Sequence, residues 1–171
     1  MQKKFNKILV ANRGEIAIRI FRACAELGIK SVGIYSKEDK YSLFRTKADE
    51  SYLIGEDKGP IDVYLDMDGI IALAKEKNVD AIHPGYGFLA ENSEFVRKSE
   101  ETGIPFIGPS ADIMDKMGDK INSKKVAHAA DVPTIPGVDK VIETVEEAKK
   151  VADYVGYPVM VKASNGGGGR G

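Results

Sequence analysis

The feature that most constrains the fold is a repeated order of apolar run, turn and amphipathic helix. The first run, Ile8 to Ala11, is continuous and apolar, which is typical of a strand buried on both faces. The turn Asn12-Arg13-Gly14 follows, and Gly28 stands where the next helix should end. That helix has apolar residues at i, i+4, i+7, i+8 and i+11, namely Ile16, Ile20, Ala23, Cys24 and Leu27. The order predicts an α/β domain on a mostly parallel sheet with flanking helices.

The same order continues to about residue 118. Further strands are predicted at Val32 to Tyr35, Ala81 to His83 and Pro105 to Gly108. Further helices are predicted after the capping residues Asp66 or Asp68, Asn92 and Ser110. Residues 36–65 are polar and irregular. Because right-handed crossovers align parallel strands, the turn at 12–14 and the turn at 84–87 are expected to share one edge of the sheet.

After Gly118 the pattern changes, so we predict two domains, residues 1–118 and residues 119–171. A short helix with an inner face of Ile121, Val126 and Ala129 is expected first. A stiff, proline-containing linker at 132–137 comes next, and then a helix that begins with the capping box Thr144-x-x-Glu147. Pro158 to Ala163 is predicted to be a strand that leads into a glycine-rich loop.

Composition and charge exclude several classes of protein. The chain has 25 basic and 26 acidic residues and a net charge of −1, so no overall field favours nucleic acid or an anionic membrane. It has no apolar run of membrane-spanning length. The single cysteine, Cys24, cannot form an internal disulfide, and we expect a buried, inert thiol. Met1 to Phe5 lacks the features of a secretory or transit segment, so we expect a cytoplasmic protein.

The glycine-rich loop is the strongest candidate for phosphate binding. Gly166, Gly167, Gly168 and Gly169 are consecutive, and their N–H groups can surround phosphate oxygens closely. Lys162 on the preceding strand and Arg170 add positive charge. The loop fits neither a Rossmann fingerprint, because no helix or acidic partner follows, nor a P-loop, because no Lys-Ser/Thr pair ends it. The residues alone leave open a phosphate cradle and a flexible tail.

Other polar residues are more ambiguous. The turn Asn12-Arg13-Gly14-Glu15 lies where a doubly wound sheet binds a nucleotide, but Arg13 and Glu15 can simply pair, and a structural role is favoured. A structural role is also favoured for His83, and His83 and His128 lack the Cys or His partners of a zinc site.

Charged residues outside the turns give weaker signals. Arg19, Arg22 and Glu26 lie on the polar side of the first helix, which is either a solvated face or a two-fold contact. Taken alone, Lys120 has the features of a surface lysine.

Five segments in order resemble signatures of the biotin carboxylase family, whose catalytic domain has the ATP-grasp fold. They are NRGEIAIRI from Asn12, HPGYGFL from His83, FIGP from Phe106, KMGDK from Lys116 and KASNGGGGRG from Lys162. The resemblance implies a Rossmann-like (pre-ATP-grasp) domain over residues 1–118, followed by linker helices and the first strand of an ATP-grasp domain. Ala90 departs from the family, which usually has serine there.

The resemblance also implies an activity. In the family, ATP and bicarbonate form carboxyphosphate, whose CO2 is passed to a ureido nitrogen of protein-linked biotin. The segment Tyr35 to Leu65 is most similar to members whose final acceptor is pyruvate. The alternatives are a member that serves an acyl-CoA acceptor and, in another class, a non-catalytic dimerisation or binding module.

The family's site residues transfer to particular positions of this sequence. The resemblance implies that Lys120 and Lys162 contact ATP, that the glycines at 166–169 close over it and that Tyr86 lies near the biotin pocket. It implies a homodimer through the helix that bears Arg19, Arg22 and Glu26. The family's ligands for Mg²⁺, its bicarbonate-binding arginine and its catalytic base match positions beyond Gly171, so we expect no catalytic residue here and no activity from the chain alone.

Overall fold

A computed structural model describes residues 5–118, 120–135 and 141–161. The chain forms two compact units that divide between Ala111 and Asp112.

The first unit is built on a four-stranded parallel sheet. Its strands are β1 (Lys7–Val10), β2 (Lys30–Tyr35), β3 (Glu50–Leu53) and β4 (Ala81–His83), in the order β3-β2-β1-β4. In β1, Leu9 lies opposite both Val32 and Ile82. The predicted strands at 8–11, 32–35 and 81–83 are confirmed within a residue or two at each end.

The strand predicted at Pro105 to Gly108 is reduced to a single bridge between Phe106 and Ile82. The Ile82 N–H donates to the Pro105 carbonyl at 3.0 Å, and the Ile107 N–H donates to the Ile82 carbonyl at 2.8 Å. Because β4 has only three residues, it offers too short a ladder for a full fifth strand.

Three α-helices complete the first unit: α1 (Gly14–Glu26), α2 (Met67–Glu76) and α3 (Ser93–Glu101). The predicted caps are confirmed, since the Asp66 carboxylate accepts from the Gly69 N–H at 3.2 Å. Asn92 Oδ1 likewise accepts from the Phe95 N–H at 2.9 Å. Each side chain thereby satisfies a backbone donor that the first helical turn leaves free.

The core consists of two hydrophobic clusters, and successive residues of β1 belong to one cluster and then to the other. Leu9 belongs to one cluster, with residues of α2 and α3. Ile8 and Val10 belong to the other, with residues of α1. Successive strand side chains point to opposite faces, so both faces of the sheet are covered, as the unbroken apolar run predicts.

The predicted inner face of α1 is partly wrong. The buried residues are Ala17, Ile20, Phe21 and Cys24. Ala23 is exposed, Ile16 is half-buried, and Leu27 is 71% exposed because the helix ends at Glu26.

The irregular segment at 36–65 contains elements that the sequence pattern did not predict. Three short 3₁₀ helices, Lys37–Tyr41, Leu43–Lys47 and Asp62–Leu65, lie on either side of β3. All four residues of β3 are half-buried. Since β3 lies at the end of the sheet order, it lacks the continuous apolar run of a central strand.

The described part of the chain that follows contains three helices: α4 (Ala111–Gly118), α5 (Lys120–Ala129) and α6 (Val145–Val155). Thr144 Oγ1 caps α6 by accepting from the Glu147 N–H at 3.2 Å, as predicted. The Glu147 carboxylate in turn accepts from the N–H of Glu143 at 3.3 Å. Gly156, with φ of +90°, ends α6.

Two expectations for the second unit are not met. Pro158 to Val161 do not form a strand, because a strand needs a hydrogen-bonded neighbour and the described part of this unit contains only helices and loops; residues 162 and 163 lie outside the described residues. On α5, Val126 is 43% exposed and Ala129 is exposed, so neither forms an inner face. Across the described ranges, no helix is both long and apolar enough to cross a membrane.

The packing of α3 predicts one large stability effect. Phe95 is fully buried and meets Phe106 edge-on, with ring centroids 5.9 Å apart. Phe95→Ala should lower the free energy of unfolding by about 3–5 kcal/mol, because it removes buried area and leaves a cavity. Urea denaturation followed by circular dichroism measures this change. The exposed control Glu100→Ala on the same helix should shift it by less than about 0.5 kcal/mol; equal effects of the two variants would contradict the assigned packing.

Candidate functional site

The loops that follow β1, β2 and β4 meet at the carboxyl edge of the sheet. Since β1 is flanked by β2 on one side and β4 on the other, the strand order reverses at β1, and such switch points are where open α/β sheets bind ligands. The Ala11 N–H donates to the His83 carbonyl at 2.9 Å and continues the pairing of β1 with β4 to this edge.

The buried side chain of Asn12 joins the loop after β1 to the loop after β4. It is 2% exposed, and its Nδ2 donates to the carbonyl oxygens of Pro84 at 2.6 Å and Tyr86 at 2.9 Å. Its Oδ1 accepts from the Arg13 N–H at 2.8 Å. Gly85 between the two carbonyls has φ of +69°, and a Cβ there would lie 2.7 Å from Asn12 Nδ2. Asn12 therefore fixes the course of the Pro84–Tyr86 backbone.

Tyr86 projects from this loop and is 60% exposed. Its hydroxyl donates to Glu15 Oε1 at 2.5 Å, across to the first turn of α1. That hydrogen bond raises the pKa of Tyr86, because the donating form is the neutral phenol, while the charge of Arg19 acts in the opposite direction. The predicted alternative, an Arg13–Glu15 pair, is not formed, since each residue has another partner.

A second polar network joins the loop after β1 to the loop after β2. Arg13 donates to the Asp39 carboxylate through Nε at 2.6 Å and through Nη2 at 2.5 Å. Tyr64 donates to the same carboxylate at 2.7 Å, and Ser42 donates to it at 2.8 Å. Asp39 is only 3% exposed, so its charge is removed from water and compensated by these donors.

The pKa values in this network follow its hydrogen bonds. The Arg13 guanidinium, with help from Tyr64 and Ser42, lowers the pKa of Asp39 to about 2 against the opposing effect of burial. Burial, followed by the donated hydrogen bond to Asp39, raises the pKa of Tyr64. The network thus contains a fixed ion pair and a neutral phenol near neutral pH.

Neither Asp39 nor Tyr64 was predicted from the sequence. Asp39 lies in the charged run Lys37-Glu38-Asp39-Lys40, which is typical of a solvated loop, and 25 residues separate it from Tyr64. A buried position for this carboxylate depends on a contact distant in sequence, so no local pattern indicates it.

The His83 ring is hydrogen-bonded within its own loop, as a structural role requires. Its Nδ1 accepts from the Gly85 N–H at 3.0 Å, so the neutral ring carries its proton on Nε2. Burial lowers the pKa of His83 and favours that neutral form. Cys24 is buried as predicted, and burial raises the pKa of its thiol. The described residues contain no group of three or more His, Cys, Asp or Glu side chains that could hold a metal ion.

The remaining predicted site residues lie elsewhere in the chain. Arg19, Arg22 and Glu26 are exposed on α1. Lys120 is the first residue of α5, but its side chain is outside the described part of the structure. Lys162 and the glycines at 166–169 also lie outside the described residues, so the phosphate cradle stays a prediction.

A parallel sheet with helices on both faces and a loop-lined switch point defines a Rossmann-like α/β domain. The family model for the N-terminal domain of biotin carboxylase matches residues 4–114, so the chain belongs to the biotin carboxylase family. The model for the ATP-binding domain of the carbamoyl-phosphate synthase L chain matches residues 119–171.

Sequence identities to individual proteins support this family assignment. The chain is 58% identical to pyruvate carboxylase of Bacillus subtilis over 99% of its own length and 15% of that protein. It is 54% identical to the 2-oxoglutarate carboxylase small subunit of Hydrogenobacter thermophilus, over 98% of the chain and 35% of the subunit. The chain is therefore homologous to the biotin carboxylase part of pyruvate carboxylase and spans about 15% of that curated relative.

A solved structure provides the same comparison in three dimensions. The biotin carboxylase domain dimer of the Hydrogenobacter thermophilus 2-oxoglutarate carboxylase, in complex with MgADP, ADP and bicarbonate, aligns with a TM-score of 0.92. The two sequences are 53% identical, and the alignment covers 99% of this chain and 37% of that one.

The contacts of Asn12 predict that its amide cannot be replaced by a carboxylate. Asn12→Asp should lower the free energy of unfolding by about 3 kcal/mol, because a carboxylate cannot donate to the two carbonyls that Nδ2 now satisfies. Chemical denaturation at pH 7 measures this loss. Asn78→Asp, at an exposed residue after α2, is the matched control, and a similar small effect at both positions would contradict the described hydrogen bonds.

The lowered pKa of Asp39 predicts a pH dependence of stability. Because this pKa is about 2 in the folded chain against an ordinary 3.8, the carboxylate stabilises the fold above about pH 4, and that stabilisation is lost as the pH falls toward 2. The difference in unfolding free energy between the wild type and Asp39→Asn should shrink by about 2 kcal/mol between pH 5 and pH 2. Urea titrations across this range measure it, and a constant difference would refute the assignment.

Proposed function

We propose that this chain is the N-terminal part of a biotin carboxylase that uses ATP and bicarbonate to carboxylate protein-linked biotin, with pyruvate as the final acceptor. The observation that carries the proposal is the 58% identity to pyruvate carboxylase along 99% of the chain. The match runs through both the N-terminal domain and the start of the ATP-binding domain, which we propose to divide near residue 118.

In this proposal, ATP is bound by the second part of the chain. Lys120 and Lys162 contact the nucleotide, and the glycines at 166–169 close over its phosphates. Phosphoryl transfer requires positive charge and oriented N–H donors at the phosphates, which lysines and a glycine run supply. A relative of this chain has been solved with MgADP and bicarbonate, in support of these ligands.

The carboxyl edge of the first unit is proposed to face biotin. Tyr86 is an exposed aromatic residue of that edge, and its loop is fixed by buried Asn12. An aromatic ring on a rigid loop suits a bicyclic ligand with an apolar body, because it adds contact area with little loss of side-chain freedom.

The other components follow from the family. Mg²⁺ would neutralise negative charge on the ATP phosphates during phosphoryl transfer, and among the described residues no group of three or more His, Cys, Asp or Glu side chains could hold it. We propose a two-fold dimer through the α1 face of Arg19, Arg22 and Glu26, since a relative's biotin carboxylase domain is a dimer. A cytoplasmic location is proposed, although the relatives include both bacterial and mitochondrial enzymes.

A second acceptor is supported by a specific observation. The 54% identity to a 2-oxoglutarate carboxylase subunit is close to the identity to pyruvate carboxylase, so 2-oxoglutarate is the second candidate. An acyl-CoA acceptor is the remaining alternative within the family. A non-catalytic dimerisation or binding module is disfavoured because residues 119–171 match an ATP-binding domain.

The full-length protein tests these proposals directly. ADP release should depend on both bicarbonate and biotin, and carboxylated product should form with pyruvate. If carboxylated product forms only with 2-oxoglutarate, or only with acetyl-CoA, that compound is the acceptor instead of pyruvate. Absence of bicarbonate- and biotin-dependent ADP release would overturn the proposed activity as a whole.

The proposed nucleotide contact of Lys162 predicts a specific loss. Lys162→Ala in the full-length protein should raise the apparent KM or Kd for ATP by roughly tenfold to a hundredfold, the effect of losing a hydrogen bond to a charged group. Steady-state kinetics and calorimetric titration measure it. The control Lys75→Ala removes an exposed lysine of α2 and should leave ATP affinity unchanged; an unchanged ATP affinity in Lys162→Ala would exclude the contact.

A further inference from the structure

The orientation of the Tyr86 side chain depends on a hydrogen bond from another element. The side chain is 60% exposed, so packing covers less than half of it. Its hydroxyl donates to Glu15 Oε1 at 2.5 Å, and the two residues are 71 positions apart in the sequence. A charge-assisted bond of this length is stronger than a neutral one and directs the ring toward α1.

The backbone under the ring is held separately. Gly85 and Gly87, on either side of Tyr86, have φ of +69° and +68°, a conformation that favours glycine. Asn12 Nδ2 fixes the carbonyl of Tyr86 itself at 2.9 Å. Asn12 therefore sets the position of the Tyr86 backbone, whereas Glu15 sets the direction of its phenol.

We propose that Glu15 is a positioning residue for Tyr86, and that together they present a hydrogen-bond acceptor to an N–H group of the ligand. The role rests on the proposed function, in which Tyr86 faces biotin. Because the phenol proton is donated to the carboxylate, the hydroxyl oxygen can offer only its lone pairs to a ligand. The ureido N–H groups of biotin are donors of the matching kind.

The charge of Arg19 opposes this arrangement only in part. Arg19 follows Glu15 by one helical turn on α1 and acts electrostatically on Tyr86. Its positive charge opposes the rise that Glu15 causes in the Tyr86 pKa, yet the net direction is upward. The phenol thus stays protonated near neutral pH, as a donor to Glu15 requires.

The first test measures the contact without any assay of activity. In the 171-residue chain, NMR of ¹³C-labelled tyrosine rings follows the ionisation of Tyr86, whose signal is identified by its loss in Tyr86→Phe. Glu15→Ala should lower the pKa of Tyr86 toward or below the ordinary 10.0, because it removes the acceptor. The control Glu100→Ala on α3 should leave that pKa unchanged. An unchanged pKa in Glu15→Ala would overturn the proposal.

The second test asks whether the contact serves the ligand. In the full-length protein, Glu15→Ala should raise the KM for free biotin about threefold to tenfold while the KM for ATP stays constant, the loss expected of one partly exposed hydrogen bond. Glu15→Gln keeps an acceptor oxygen and should lie closer to the wild type. In the Tyr86→Phe background, Glu15→Ala should add no further rise, because the hydroxyl through which it acts is gone.

The outcomes separate the two levels of the proposal. If Tyr86→Ala raises the KM for biotin but Glu15→Ala does not, the biotin assignment stands and the positioning role fails. If Glu15→Ala has its full effect in the Tyr86→Phe background, Glu15 does not act through Tyr86, and the role also fails. If Tyr86→Ala leaves the KM for biotin unchanged while bicarbonate-dependent ATP cleavage persists, Tyr86 does not face biotin, and the role of Glu15 fails with it.

Discussion

The carboxyl edge of the sheet depends on the side-chain amide of Asn12. β1 ends at Val10 and β4 ends at His83, so the backbone beyond them has no regular ladder to satisfy its polar groups. Asn12 supplies two donors to the Pro84 and Tyr86 carbonyls and an acceptor to the Arg13 N–H. A side chain with both functions in one plane is required there, and serine or aspartate cannot supply both donors.

The ion pair of Arg13 with Asp39 stabilises the other side of the same turn, where the cost of burying a carboxylate has to be offset. Burying a carboxylate is costly unless donors surround it, and Asp39 receives four hydrogen bonds, two from Arg13 and one each from Tyr64 and Ser42. Asn12 and Arg13 are adjacent, so one turn is tied to the loop after β4 by an amide and to the loop after β2 by a guanidinium. The three loops of the edge are consequently fixed relative to one another.

The success of prediction from the sequence differs between local and distant interactions. The strands near Leu9, Val32 and Ile82, and the caps Asp66 and Asn92, depend on periodicity or on neighbours three residues away, and the sequence predicts them. The edge itself was predictable, because parallel strands place their following loops together. The burial of Asp39 and Tyr64 could not be predicted, since their charged and aromatic side chains acquire partners only through the fold. Pro158 to Val161 show the opposite error: an apolar run predicted a strand, but it has no neighbouring strand among the described residues.

The same distinction applies to the proposed site. The nucleotide-binding part, Lys120, Lys162 and the glycine run, was assigned through the resemblance to the biotin carboxylase family. Local sequence alone left the glycine run open between a phosphate cradle and a flexible tail, and Lys120 had the features of a surface lysine. The part proposed to face biotin depends on Glu15 and Tyr86, which meet only when α1 and the loop after β4 are folded against the sheet. Their donor and acceptor roles were therefore undefined in the sequence, where Glu15 had an equally plausible partner in Arg13. The pairing of Arg13 with Asp39 removes that alternative and leaves the Glu15 carboxylate available to the phenol. The ion pair of half-exposed Arg13 with buried Asp39 on one side of the turn thus leaves Glu15 to pair with Tyr86 on the other, and in the proposed site that second bond sets the group offered to a ligand.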